Sequence, residues 1–278
     1  MPGSEEENNL YEEYFYIDDG WEKFGSAGVD LSGYYQKPST GIPASDLADG
    51  VIPDTSIYAP IASPNFTGSI SLGRKANTTI GAGSVAEGAN VTASGNASHA
   101  EGAGTTTSAD YSHAEGAGTA TYGYNSHAEG ANTKTYGANS HAEGSNTAAY
   151  GNNTHAEGNE TRAYNVSSHA EGSLTTAAGE HSHAEGRGDT QTAKTIGSKT
   201  YSGTGAHGER SHSEGYMTWA IGQSSHAEGG SSIAIGIDSH AEGYNTTSSG
   251  INSHAEGYMT IASGEDSHAE GCSTVASE

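Results

Sequence analysis

"SHAEGANTKTYGAN" occupies residues 126–139, and the residue after it opens the same phrase again. A His and a Glu two residues apart suggest chemistry, whereas the same pair returned at a fixed interval suggests architecture. The histidines of the phrase are His99, His113, His127, His141, His155, His169 and His183, each fourteen apart. After an interruption come His212, His226, His240, His254 and His268, again fourteen apart. Val85 in "SVAEG" fills the same slot of an earlier repeat, and "SISLG" (69–73) reads as a degenerate coil before it. A short fixed period is the signature of a solenoid, in which each repeat buries its surface against its neighbours. Fourteen residues rich in Gly, Thr, Ser and Asn suit no helical repeat. Each period therefore reads as two short strands joined by two tight turns, a parallel β-roll or β-solenoid over 69–278.

Strands send alternate residues to opposite faces. In "SHAEG", Ser, Ala and Gly share one parity, and His and Glu the other. In "TKTYG" (133–137), Thr133, Thr135 and Gly137 oppose Lys134 and Tyr136. The slot of Thr135 holds only small residues elsewhere: Ala93, Thr107, Thr121, Ala149, Ala163, Ala177, Ala220, Ala234, Ser248 and Ala262. The small parity thus faces a narrow lumen. Gly follows the Glu in all thirteen copies, and it stands four before the His slot in eleven of thirteen, Ala109 and Asn165 being the exceptions. Asn tolerates left-handed backbone, so a positive φ is expected at that second slot. Roughly fifteen coils stacked ~4.8 Å apart give a rod about 70 Å long. So thin a rod has a meagre core, and a homotrimer burying one long side of each protomer is the simplest remedy. The step from His183 to His212 is 29 residues, which reads as a coil with a loop enlarged over about 187–210.

Composition agrees with this reading. The 278 residues include 41 Gly, three Phe and two Trp, too little bulky apolar surface for an ordinary core. A net charge of −24 with ten Lys and Arg disfavours nucleic acid and anionic membranes as partners. One cysteine, Cys272, excludes an internal disulfide and a CxxC metal site. No apolar run reaches signal-peptide or transmembrane length, so no membrane insertion and no standard export are expected. The preceding region divides into an attachment segment (1–37) and an extended, Pro-containing linker (38–68). In the first, "LYEEYFYI" (10–17) and "WEKFG" (21–25) flank Asp18-Asp19-Gly20, a hairpin signal. Its aromatics Tyr11, Tyr14, Phe15, Trp21 and Phe24 suit a docking module.

The candidate site residues are mostly the repeated pair: His99 and Glu101, His113 and Glu115, His127 and Glu129, His141 and Glu143, His155 and Glu157, His169 and Glu171, His183 and Glu185, His212 and Glu214, His226 and Glu228, His240 and Glu242, His254 and Glu256, His268 and Glu270. Catalysis needs a singular pocket, and twelve copies of one pair describe a surface or an interface instead. No phosphate loop, nucleophile triad or zinc spacing occurs, so no catalytic residue is assigned and the chain reads as a non-enzyme. Set in a seam between protomers, Glu must be paired, because unpaired burial is prohibitive. Pairing with protonated His predicts a trimer firmest between the two pKa values, about 4 and about 6.5, and altered as His deprotonates. Imidazoles from three chains meeting at an axis could hold a transition metal; no other cofactor is indicated. Tyr122, Tyr136, Tyr150 and Tyr164 share one slot in four successive coils and should stack. With Trp219, Ile221, Ile233 and Ile235, they are the candidate ligand surface, apolar enough to meet a glycan, the enlarged loop or a neighbouring subunit.

The spacing and alternation resemble the head repeat of trimeric autotransporter adhesins, whose "SVAIG" motif recurs every fourteen residues in a left-handed parallel β-roll. "SVAEG" (84–88) is nearly that motif, and "SHAEG" places His and Glu at its two larger slots. In that family the larger slots are associated with subunit contacts. "EYFYIDDGWEKFGSAGVDLSGYYQKP" (13–38) and "YAPIASPNFTGSISLG" (58–73) resemble bacteriophage tail-fibre and tail structural proteins, the second matching their "YAPLASPxFTG" phrase. "SHAEG" arrays are similarly common in phage structural proteins. The resemblance implies a homotrimeric tail-fibre or tail-spike shaft located in the virion tail. It would join a tail or baseplate protein at its N-terminus and face a host cell-surface glycan or protein. A bacterial adhesin head and a polysaccharide-depolymerising spike are the alternatives. His181-Ser182-His183 resembles the HxH motif with which histidines of some phage fibre trimers hold a metal.

Overall fold

The computed structural model describes residues 14–17, 20–23, 70–76, 78–189, 193–196 and 198–277. The expected linker over 38–68 lies outside the described residues. The chain forms two units, residues 1–65 and 66–278. In the first, Tyr14–Ile17 pairs antiparallel with Gly20–Lys23, Ile17 standing opposite Gly20, so Gly20 opens the second strand.

The second unit is an all-β parallel solenoid of about 14 turns. The coil of the quoted phrase shows how it is built. The strand His127–Ala131 pairs in register with His113–Ala117 before it and His141–Ser145 after it. The short strand Lys134–Thr135 pairs likewise with Ala120–Thr121 and Ala148–Ala149. Two parallel sheets result, one made of "HAEG" strands and one of the short strands, and like residues lie over like residues. Backbone groups are thereby satisfied from coil to coil, which a solenoid with so little apolar surface needs most.

The small parity points inward, as the alternation predicts. Ala128, Ala142 and Ala156 from one sheet, and Thr135, Ala149 and Ala163 from the other, are all fully buried. The motif Ser is buried too, and its hydroxyl donates to a turn carbonyl: Ser126 Oγ reaches the Gly123 oxygen at 2.6 Å. Where the opposite slot is Thr, its hydroxyl in turn bonds the Ser, Thr135 Oγ1 to Ser126 Oγ at 2.9 Å. The slot therefore admits either a methyl or a hydroxyl that finds a partner, and nothing longer.

One expectation about the corners needs correction. The Gly four before the His is not left-handed; a Cβ on Gly137 would overlap the Gly151 carbonyl of the next coil. Close approach, not positive φ, selects glycine there. The left-handed residue sits two places later, at Asn125, Asn139 and Asn153 (φ 53–57°). Ala109 is not left-handed either, so its backbone accepts a side chain. Beside it the turn-to-turn bond from Asn125 N to the Asp110 oxygen stretches to 3.3 Å, against 2.8 Å for Asn139 N to the Tyr124 oxygen one coil on. Asn165, the other exception, donates its side-chain amide to the Ala178 carbonyl.

The interruption is a single coil with an insertion. His183 pairs directly with His212, and Thr175–Ala177 pairs with Thr204–Ala206. The extra residues leave the solenoid after Gly188 and return at Thr204, and within them Ala193–Ile196 pairs antiparallel with Lys199–Ser202. Among the described residues no helix is long and apolar enough to cross a membrane.

Candidate functional surfaces: an imidazole column and an aromatic strip

Fixing identical residues in register puts each motif His directly over the last. From His99 to His268 all twelve imidazoles stack, with ring centroids 4.7–4.9 Å apart and planes within 7° of parallel. The column crosses the insertion without a gap, His183 to His212 measuring 4.8 Å. The Glu side chains run beside it. Nε2 of His113, His127, His141 and His155 lies 3.5–3.9 Å from the carboxylate two residues on in its own coil. His99, His183 and His212 also reach back to the Glu of the preceding coil at 3.3–3.5 Å. Both side chains are about a third exposed, on the outside of the lumen.

This geometry decides the charge state. Burial lowers the pKa of His127, His169 and His226, and the imidazoles above and below lower it further, while neighbouring carboxylates oppose the shift without cancelling it. His240 is lowered in the same way. These four imidazoles therefore favour the neutral form more than a free histidine does. Stacking at under 5 Å puts like charges too close for the whole column to protonate together. A hydrogen bond between the carboxyls of Glu214 and Glu228 lowers the pKa of the first and raises that of the second.

Metal binding within one chain fits the column poorly. His113, Glu115 and His127 bring three ligand atoms within 4.8 Å of one another, as do several further sets. The two rings are 2° from parallel, so their lone pairs run side by side and do not converge on one ion. A structural transition-metal site needs about four converging donors. His183 of the HxH pair stands in the column, whereas His181 is a left-handed turn residue (φ 55°) whose Nδ1 lies 3.9 Å from Glu180.

The other sheet carries the aromatic strip. Tyr122, Tyr136, Tyr150 and Tyr164 stack at 4.8–5.1 Å and are 38–47% exposed. Of the occupants expected for the second half of the ligand surface, the structure places the enlarged loop there. Trp219, Ile221 and Ile233 are buried, with Ile196 and Tyr201 of the inserted hairpin packed against them and Ile235 at the margin. Their apolar surface already has an occupant within the chain, and beyond it Ile261 and Val275, paired in adjacent coils, are exposed.

The hairpin also organises residues that the periodic pattern passes over. His207 is partly buried, its Nε2 3.0 Å from the Gly203 carbonyl, its ring stacked on Trp219 and met edge-on by Tyr201. Burial pushes its pKa down, with Lys199 adding to the shift and the Gly203 bond opposing it. Lys199 lies over the Tyr201 ring, 5.0 Å from its centre. Between hairpin and shaft runs a cleft of about 520 Å³. A sequence signal for it exists: the Tyr slot at 122, 136, 150 and 164 is filled by Ala at 178.

A scan against protein-family models and a search of curated proteins find no match to this chain.

Proposed function

We propose that the chain is the shaft of a homotrimeric fibre, of a phage tail or a comparable host-attachment appendage, with the imidazole–carboxylate column as the seam between protomers. One observation carries the reading. Among the described residues the column is unbroken from His99 to His268, and the insertion after Gly188 packs on the other sheet, against Trp219 and Ile233. A face that repeats the same side chains over twelve coils suits contact with copies of itself. The carboxylates stand 3.5–3.9 Å from the imidazole Nε2 atoms of His127 and His155, which make no hydrogen bond within the chain and so remain available to a partner across a seam. The "YAPIASPNFTG" phrase (58–68) supports a tail origin, the virion as its location and attachment through the N-terminal segment. The role is structural: the shaft carries a host-surface binding element, and the seam needs no ion.

Light scattering at about pH 5.5, 7 and 8.5, with and without chelator, tests this. A trimer that holds at neutral and alkaline pH and loosens in acid is expected, because neutral imidazoles stack and charged ones repel. Loosening only with chelator would assign the seam to a metal. A monomer throughout would overturn the trimeric reading.

A further inference from the structure

The aromatic strip has a missing rung. Register places Tyr164, Ala178 and His207 in one slot of three successive coils, since Ala163 pairs with Ala177 and Ala177 with Ala206. Tyr164 has Tyr150 stacked 4.8 Å away on one side, and on the other the next residue of the slot is a methyl group. Across that gap His207 is fixed by the Gly203 carbonyl and Trp219. Two coil steps separate the rings, about 9.6 Å, which is the room one further ring needs at the strip's own spacing. The cleft lies over this gap, with Ala178 at its floor, Tyr201 of the hairpin as a wall and Asn165, Glu180 and Glu209 among its lining.

We infer that this gap is a binding site for one pyranose ring of a neutral or N-acetylated saccharide. The apolar C–H face of a pyranose packs on the open face of Tyr164, as aromatic faces accept flat apolar surface. Its hydroxyls meet the carboxylates of Glu180 and Glu209, groups suited to accept around a ring edge, while the Asn165 amide stays on the Ala178 carbonyl beneath. Two carboxylates against Lys199, which is engaged with Tyr201, disfavour an acidic sugar. The cleft of about 520 Å³ is open and offers an aromatic face beside several polar groups, which suits a sugar more than an apolar ligand. Because the strip lies on the opposite sheet from the imidazole column, the site is complete in one chain and stays open in a trimer formed through that column. It rests on the host-attachment reading only for the source of the sugar.

The test is saturation-transfer NMR and titration of the full chain with methyl glycosides of glucose, galactose and N-acetylglucosamine. At least one is expected to bind. Ala178→Tyr supplies the missing ring and should weaken binding at least about tenfold while leaving the circular dichroism spectrum and the thermal midpoint intact. Tyr164→Ala should weaken it similarly, and Tyr122→Ala, three rungs away, should not change it. Absence of transfer from all three glycosides overturns the inference, as does equal binding by Ala178→Tyr. Loss on Tyr122→Ala would move the contact to the open strip and overturn it too. Indole binding without glycoside binding would assign the gap to a flat heterocycle instead. The trimer is read separately by light scattering, so failure of the site leaves the seam standing, and a monomeric chain that binds glycoside loses only the seam.

Discussion

The two sheets share one lumen and one backbone register, yet one repeats its outward side chains and the other changes them. On the "HAEG" sheet every His lies on a His and every Glu beside a Glu. Such a face must be self-compatible: imidazoles stacked under 5 Å apart repel one another when neighbours are both charged. On the short-strand sheet the outward slots run through Thr, Ala, Lys, Arg, Trp and Ile, from Thr106 to Ile261. That face takes up the insertion, a buried apolar cluster and a cleft. Regularity therefore marks the surface used along its whole length, and irregularity marks the place where something singular is built.

The largest expected effect breaks the irregular side. Trp219→Ala removes the centre of the cluster under the hairpin and should cost about 3 kcal/mol of local stability. Since solenoid stability is local, hydrogen exchange should rise around 193–220 and stay unchanged near 127–155. Next comes the shared lumen. Ala142→Leu overfills a fully buried slot and should cost about 2 kcal/mol in denaturant unfolding. Ala117→Leu, in an exposed corner, should change stability by no more than about 0.5 kcal/mol. Equal costs at both positions would contradict the packing described.

Acid should act on the regular side. His127, His169, His226 and His240 have folded pKa values below their ordinary 6.5, so the unfolded chain binds protons first as pH falls. Stability contributed by neutral imidazoles is present above about pH 6.5 and is lost as pH drops through that value. The thermal midpoint should fall between about pH 7 and 5, and NMR titration should find His127, His169, His226 and His240 protonating below free histidine. A midpoint rising over that interval would show that the carboxylates outweigh burial and stacking. The smallest effect belongs to the strip: Tyr136→Ala should cost about 1 kcal/mol or less, the worth of same-face stacking.

Much of this was legible in the residues. The fourteen-residue spacing, the alternation in "SHAEG" and the small slot of Thr135 lead directly to coils, lumen and faces, because strand parity is fixed by backbone geometry. The stacked tyrosines follow from the same register. The φ at Gly137 was not legible, because glycine serves close approach and left-handed backbone equally well, and only the position of the Gly151 carbonyl separates them. Nor was the charge of the column: a His–Glu spacing announces an ion pair, whereas ring-to-ring distance and burial set the proton's preference.

Sequence by itself determined the solenoid, its period and which residues point inward, since these depend only on local parity and on side-chain size. Tertiary structure alone decided that Trp219, Ile221 and Ile233 are covered by their own chain and that His207 is pinned beneath the hairpin. It alone also turned Ala178 into the floor of a cleft. Those outcomes depend on where a fifteen-residue excursion, Asp189 to Gly203, folds back, and no periodic pattern encodes that contact.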